Sequence, residues 1–476
     1  MITSLYILAL IVGFYMAWSI GANDVSNAMG TSVGSGALTL RQAVLIAAVL
    51  EFTGAYFFGS HVSETVQKDI ISPQLFVNEP MTLVYGMISA LVAAGVWLQI
   101  ATYKGWPVST THSIIGAIVG FAATAKGIQA VSWGNVASIA LSWIISPLIG
   151  GLISFTIFTI LRKQIFYSSH PVRAAKKIAP ILVFALVTFL SLAMLIKGLK
   201  NISLNLSTMD SILLSLSIGG LSGGICHIFT RRIVSEEISQ PEEELSLNPK
   251  MLKHLEKAQT HLQKARTLAV EAPLRADIKS SLNTVEDISE NIFPSAAKHS
   301  DSTHAKYEAI EKIFARMQLL SASFMAFAHG ANDVANAIGP LAATLQVLET
   351  GIVSSTAPIP SWILALGGFG IICGLATWGW RVIETIGKNI TALTPSRGFS
   401  AEFGATITIV VSSAFGFPVS TTHTLVGCVF GVGLARGIGS LNVGTIRDIV
   451  VSWVITFPAG AAIAIAVFYL LQTIYG

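Results

Sequence analysis

The sequence predicts an all-α polytopic membrane fold made of two repeats, with re-entrant helical hairpins, discontinuous helices and a cytoplasmic helical insertion. Three observations predict it. The chain is 53% hydrophobic and only 11% charged, with a mean hydropathy of +0.68. A soluble chain of this length could not cover its surface with so few charges. Two polar motifs each occur twice: Gly-Ala-Asn-Asp-Val-Xaa-Asn-Ala at 21–28 and 330–337, and Pro-Val-Ser-Thr-Thr-His at 107–112 and 418–423. Their offsets, 309 and 311 positions, are nearly equal, so a whole unit is duplicated. Finally, 26 of the 54 charged residues fall in the 82 positions 231–312. That stretch belongs in water and separates the copies. The chain divides into a membrane repeat with connecting spans (1–230), a charged cytoplasmic helical domain (231–312) and a second membrane repeat (313–476).

The first 20 residues lack a basic start and a small-residue cleavage site, so they read as a retained span and not a removed signal. Other runs at 181–196, 361–380 and 446–471 approach the ~20 apolar residues that cross ~30 Å of hydrocarbon. Arg162, Lys163, Arg173, Lys176 and Lys177 form a basic cluster. Spans at 178–196 and 211–229 return the chain to the same side, at Arg231 and Arg232. The positive-inside rule places both clusters, and the insertion, in the cytoplasm, and the uncharged termini outside. The plasma (inner) membrane is the expected location.

Within the insertion, Met251, Leu255, Ala258, Leu262, Ala265 and Ala269 recur at helical spacing, and Ile278, Leu282, Val285 and Ile292 continue it after Pro273. Both patterns fit amphipathic helices, as a hairpin or against a partner. Asn248-Pro249 supplies a cap with proline at the first helical position. A solvated spacer and a module with a regulatory partner are both compatible with this pattern.

The repeat extends past the motifs. Residues 64–70 resemble 384–390, and Ser142-Trp143 followed by Pro147 resembles Ser452-Trp453 followed by Pro458. Copies that start on opposite sides form an inverted repeat; counting spans between the copies leaves the parity open. Cys226, Cys373 and Cys428 have no metal-ligand spacing and read as free buried thiols. The net charge of +4 implies no nucleic-acid partner.

The first motif carries Asn23, Asp24 and Asn27, then Asn332, Asp333 and Asn336. An ionised Asp at mid-membrane costs at least ~2.5 kcal/mol and needs a cation, a proton or a water-lined cavity. Flanking glycines, Gly21, Gly30, Gly330 and Gly339, allow the helix to unwind, freeing carbonyls for a hard cation. Na⁺ is accordingly expected at Asn23, Asp24, Asn332 and Asp333, although the carboxylates can carry either Na⁺ or H⁺. The second motif carries Ser109, Thr110 and Thr111, then Ser420, Thr421 and Thr422. A helix starting there directs free N–H groups and three hydroxyls at a pocket, a neutral cradle for a tetrahedral oxyanion. Anion binding beside two carboxylates depends on a cation between them, which is the thermodynamic basis of symport. Glu51 and Glu402 lie in apolar spans at non-equivalent positions, and both are candidates for the coupling ion together with Asp24, Asn27, Asp333 and Asn336. His112 and His423 read equally as titrating or as tip-packing groups. His329 is set aside because Ile20 holds the matching place.

At these motifs the chain resembles the inorganic phosphate transporter (PiT) family, over 1–230 and roughly 313–476. Glu51, in Glu-Phe-Thr-Gly, and Glu402, ahead of the second hairpin, look like that family's two important glutamates. The resemblance implies uptake of inorganic phosphate by symport with Na⁺ or H⁺, no cofactor, and a homodimer with transport and scaffold parts. By the same analogy, phosphate meets the hairpin tips and the Asn-Asp motifs. Ser26 stands where Ala335 does, and Thr31 where Pro340 does. A sulfate permease on the same scaffold is the nearest rival, since both anions are tetrahedral. An enzyme is not expected: each half supplies the same groups, whereas a hydrolase needs distinct acid and base. An anion sensor signalling through 231–312 is the remaining alternative.

Overall fold

The computed structural model describes residues 2–198, 206–233, 249–269, 272–354, 359–383, 393–437 and 443–476. The described residues are almost entirely helical, and eight helices among them are long and apolar enough to cross a membrane. Strand geometry among them is confined to one bridge, Ile71 to Val131. The 384–390 half of the extended repeat, Asn248 of the expected cap, and the side chains of Met251, Leu255 and Ile292 lie outside the described residues.

α1 runs over Ile2–Gly34. α2, Leu40–Phe58, starts in a capping box between Thr39 and Gln42, which satisfies its first free N–H groups. A short α3, Ser60–Lys68, follows. α4, Pro80–Tyr103, and α5, Thr110–Lys126, form the first hairpin. α6 is Trp133–Leu161, continued by a π turn at Arg162–Phe166. α7, Pro171–Ala193, packs on α8, Thr208–Ile233.

α9, Pro249–Leu268, packs against α10, Ala272–Asp333. α10 has 62 residues, about 93 Å at 1.5 Å per residue, and passes unbroken from the charged insertion into the first motif of the second copy. α11 is Ala335–Thr350, α12 Ser361–Trp378, α13 Pro395–Ala414, α14 Thr421–Arg436 and α15 Val443–Tyr475. α13 and α14 form the second hairpin.

Each hairpin packs on the long helix of the other copy: α14 against α6, and α5 against α15. Matching glycines permit this. A Cβ on Gly116 would lie 2.3 Å from the Phe457 carbonyl oxygen, and one on Gly427 2.4 Å from that of Pro147. Close backbone approach at small residues is a membrane-helix device, because lipid gives helices no hydrophobic reason to associate.

The expected unwinding at the Asn-Asp motifs is corrected in the first copy. α1 is helical through Gly21–Gly30. In the second copy only Val334 interrupts the helix. The glycines serve packing instead: a Cβ on Gly21 would sit 1.9 Å from the Ile371 carbonyl oxygen, and one on Gly330 2.1 Å from that of Glu51. The helix ladder keeps its carbonyls, and side-chain oxygens face the site. All three cysteines are free, but Cys428 alone is buried; Cys226 and Cys373 are half-exposed.

Candidate functional site

The four motifs converge at one buried centre. Asn23 and Asn332 tie each copy to its own hairpin. Asn23 donates to Thr102 Oγ1 at 2.9 Å and to the Trp106 carbonyl at 3.1 Å, and accepts from the Val108 N–H at 3.3 Å. With its amide oriented to satisfy both ends, Asn332 accepts from Ser413 Oγ at 2.8 Å and donates to the Val419 carbonyl at 3.2 Å and to Asp333 Oδ1 at 3.0 Å. Both residues are therefore occupied in holding hairpins.

Each acid takes a hydroxyl of its own copy, and Asp24 Oδ1 also accepts from Thr422 Oγ1 of the other copy at 3.3 Å. Thr110 Oγ1 donates to Asp24 Oδ2, and Thr421 Oγ1 donates to Asp333 Oδ2 at 2.7 Å. The second asparagines cross over. Asn27 donates to Thr422 Oγ1 at 2.8 Å, with Thr421 Oγ1 and Asp24 Oδ1 each at 3.3 Å; Asn336 donates to Thr111 Oγ1 at 3.3 Å. The hairpins interlock in the same way: Thr111 Oγ1 donates to the Val419 carbonyl at 3.2 Å, and Thr422 Oγ1 to that of Val108 at 3.1 Å. The hydroxyls expected to face an anion thus donate to carboxylates and carbonyls.

Ser109 and Ser420 are N-caps, accepting from the His112 and His423 N–H groups at 3.2 Å. The His112 and His423 rings meet edge to face, 4.3 Å between centroids, and each packs on its own copy's tryptophan, Trp143 at 3.7 Å and Trp453 at 3.6 Å. They pack the junction of the two tips.

His329, set aside on sequence grounds, belongs to this centre. It lies one turn before Asp333, so both side chains share a helix face. Its Nε2 is 2.8 Å from Asp333 Oδ2 and its Nδ1 is 3.2 Å from Glu51 Oε1, with all three side chains buried. These are ion-pair distances without hydrogen-bond alignment, and both Glu51 carboxylate oxygens lack a hydrogen-bond donor. Asp24, His329 and Asp333 offer ligand atoms within 4.8 Å of one another. The helical spacing to Asp333 was the signal in the sequence; the missing counterpart in the first copy obscured it.

Glu402 sits in a separate nest. Its Oε1 accepts from Thr31 Oγ1 at 2.7 Å, Ser32 Oγ at 2.6 Å and Gln318 Nε2 at 2.9 Å, and its Oε2 from Ser321 Oγ. The structure brings Glu51 to the central acids and gives Glu402 its own ring of donors beside α1.

The phosphate transporter family model matches residues 20–464. The chain is 46% identical to an inorganic phosphate transporter 2-1, chloroplastic, of Arabidopsis thaliana, over 96% of this chain and 70% of that one. It is 41% identical to a putative phosphate permease of Haemophilus influenzae, over 98% of this chain and 96% of the relative. Its fold is similar to a solved structure titled the sodium-dependent phosphate transporter, with a TM-score of 0.80 and 37% identity, covering 99% of this chain and 100% of that chain. Eight apolar helices agree with a multi-pass membrane protein. The paired motifs, their convergence at one centre and these likenesses together lead to one conclusion: the chain belongs to the phosphate transporter family.

Proposed function

We propose that the chain imports inorganic phosphate by symport with Na⁺, both being cargo of the site around Asp24 and Asp333. One observation carries this reading: the hydroxyls suited to an oxyanion are held by the carboxylates suited to a cation. While Asp24 and Asp333 are bare, Thr110 and Thr421 donate to them, and an anion would meet negative charge. A cation on the carboxylates removes the repulsion and releases the hydroxyls to donate to phosphate. Each ligand then favours the other by the same factor, as linkage requires.

Orphan acceptors support a cation here. Asn27 Oδ1, Asn336 Oδ1 and both Glu51 oxygens are buried without a donor. Buried acceptors left unsatisfied cost about 1–3 kcal/mol each, and hard cations take such oxygens. The sodium dependence named for the similar solved structure favours Na⁺ over H⁺. His329 offers the alternative: a proton on its ring neutralises the same carboxylates, so H⁺ competes with Na⁺ or replaces it. Glu402 is assigned to coupling on family analogy alone.

The pairing of like positions across the copies supports an inverted repeat with its axis between His112 and His423, the α4–α5 and α13–α14 hairpins being re-entrant. Location in the plasma membrane with the insertion in the cytoplasm rests on the basic clusters. The homodimer, and a partner for the insertion, rest on family analogy and on the amphipathic helices. No relative named above carries sulfate in its description.

Radiolabelled phosphate uptake into proteoliposomes tests the reading. An imposed Na⁺ gradient should drive uptake that excess sulfate leaves unchanged. Uptake driven by a pH gradient alone would make H⁺ the coupling ion, and binding of sulfate in place of phosphate would overturn the substrate.

A further inference from the structure

Two cations lie beside the transport centre, and the symport reading leaves both unused. Lys104 sits at the turn of the first hairpin, and Arg381 just past the end of α12. The turn is fastened at the level of the central asparagine: Asn23 donates to the Trp106 carbonyl at 3.1 Å, two residues from Lys104. The end of α12 is fastened to the same stretch of α1. Trp378 meets the Trp18 ring edge to face with centroids 5.5 Å apart, and a Cβ on Gly379 would lie 2.6 Å from Val25 Cγ1. Both cations therefore flank α1 around Asn23, well inside the membrane span.

Aromatic rings hold them, and among the described residues no carboxylate pairs with either. The Arg381 guanidinium carbon lies 5.0 Å from the Trp378 ring centre, 5.2 Å from that of Trp380 and 5.5 Å from that of Tyr103. Lys104 Nζ lies 4.5 Å from the Trp106 ring centre. Rings take the face of a guanidinium and leave its in-plane N–H donors open. Arg381 Nε is buried without a hydrogen-bond partner. Tyr103, Lys104, Trp106 and Trp380 are exposed, and Arg381 is half-buried.

The second hairpin turns without a cation. Its backbone is the same, with Gly416 at φ 75° where Gly105 has φ 68°, and Pro418 follows as Pro107 does. Phe415 and Phe417 stand in place of Lys104 and Trp106. The turn itself thus has no need of the charge.

We propose that Lys104 and Arg381 form a loading site for free phosphate, which holds the anion against the first hairpin turn before the central site takes it. That the anion is phosphate rests on the symport reading. An unpaired cation inside a membrane faces water or an anion and marks a pathway. The central carboxylates repel phosphate until a cation occupies them, so the anion needs attraction from outside that site. Two cations in low-dielectric surroundings raise its local concentration and speed its arrival. The in-plane donors of Arg381 match phosphate oxygens.

The test measures exchange of labelled phosphate by the full chain in proteoliposomes. Na⁺ and phosphate are equal on both sides, so the loading face is sampled in either orientation. Lys104→Gln and Arg381→Gln should each raise the phosphate concentration for half-maximal exchange by about threefold, and the pair by about tenfold. The Na⁺ requirement should not rise, since removing a cation does not weaken cation binding. Adding choline chloride at fixed Na⁺ should raise the wild-type value for phosphate through screening and leave that of the pair nearly unchanged. Lys104→Arg keeps the charge and should behave as wild type. An unchanged value for phosphate in Lys104→Gln would overturn the proposal. So would equal loss of phosphate and Na⁺ affinity, or a fall in maximal exchange alone, either of which marks a structural role. Lys104 is exposed, so its variant carries the test even if Arg381→Gln fails to fold. Failure of the symport reading shows in the wild type, as exchange that ignores Na⁺; failure of the loading site shows only in the variants.

Discussion

Asn27 donates to Thr422 across 395 positions of sequence, at 2.8 Å in a buried setting. The bond joins the acid-bearing helix of one copy to the hydroxyl-bearing tip of the other. If it helps to assemble the site, Asn27→Ala and Thr422→Val should each weaken phosphate uptake. The double variant should be no worse than the poorer single by more than a few tenths of a kcal/mol. The coupling expected for one such bond is about 0.5–1.5 kcal/mol. Fully additive effects on the half-saturation constant would show that the bond is incidental.

Removing the hydroxyl donors tests the cradle. Thr110→Val and Thr421→Val each delete a donor to a charged partner, worth ~1.5–3 kcal/mol. The concentration of phosphate for half-maximal uptake should rise by about tenfold or more. An unchanged value in both variants would remove the hairpin tips from phosphate binding.

The carboxylates are tested without changing shape. Asp24→Asn or Asp333→Asn should cut uptake by on the order of 100-fold, about 2.7 kcal/mol, while leaving membrane insertion intact. Membrane yield and uptake are measured on the same vesicles. Normal transport by both variants would exclude them from coupling.

His329 separates the two ions. Its ring lies between Glu51 and Asp333, where a proton would compete with a cation. Lowering pH from 8 to 6 should raise the Na⁺ concentration needed by the wild type. His329→Gln removes that proton site, so the surviving uptake should need a Na⁺ concentration that changes less with pH. An identical pH response in wild type and variant would place proton competition elsewhere.

Gly330→Ala tests packing. Its Cβ would lie 2.1 Å from the Glu51 carbonyl oxygen, so α2 and α10 must separate. Overpacking of this kind costs typically about 1–3 kcal/mol. The variant should unfold at lower temperature in detergent and also lose uptake, because Glu51 moves with the backbone.

Much of the architecture was legible because membrane helices leave strong signals. Apolar runs marked α1, α7, α8, α12 and α15 as spans, but α2, α4 and α6, which are also long and apolar enough to cross, were not singled out. The duplicated motifs identified Asp24, Asp333 and the threonines that the structure brings together. What the sequence concealed was geometry among identical groups. Asn27 and Asn23 look alike in the motif, yet one crosses to the other copy and the other fastens its own hairpin. Gly21 and Gly330 suggested unwinding, but glycine serves close packing equally well, and neighbouring carbonyls decide between the two. Ser109 and Ser420 read as ligand donors, and the helix start takes them as caps. His329 was missed by asking for symmetry at a position where the copies differ.

The interlocked tips also bear on how the two copies can drift apart. Thr111 and Thr422 each rely on a carbonyl in the opposite hairpin, and His112 and His423 on each other's rings. A change at one tip removes a partner from the other, so the halves must change there in concert or not at all. Not every group at the centre is matched in this way. Glu51, His329 and Glu402 each occur on one side only, and there a duplicated chain was free to acquire direction.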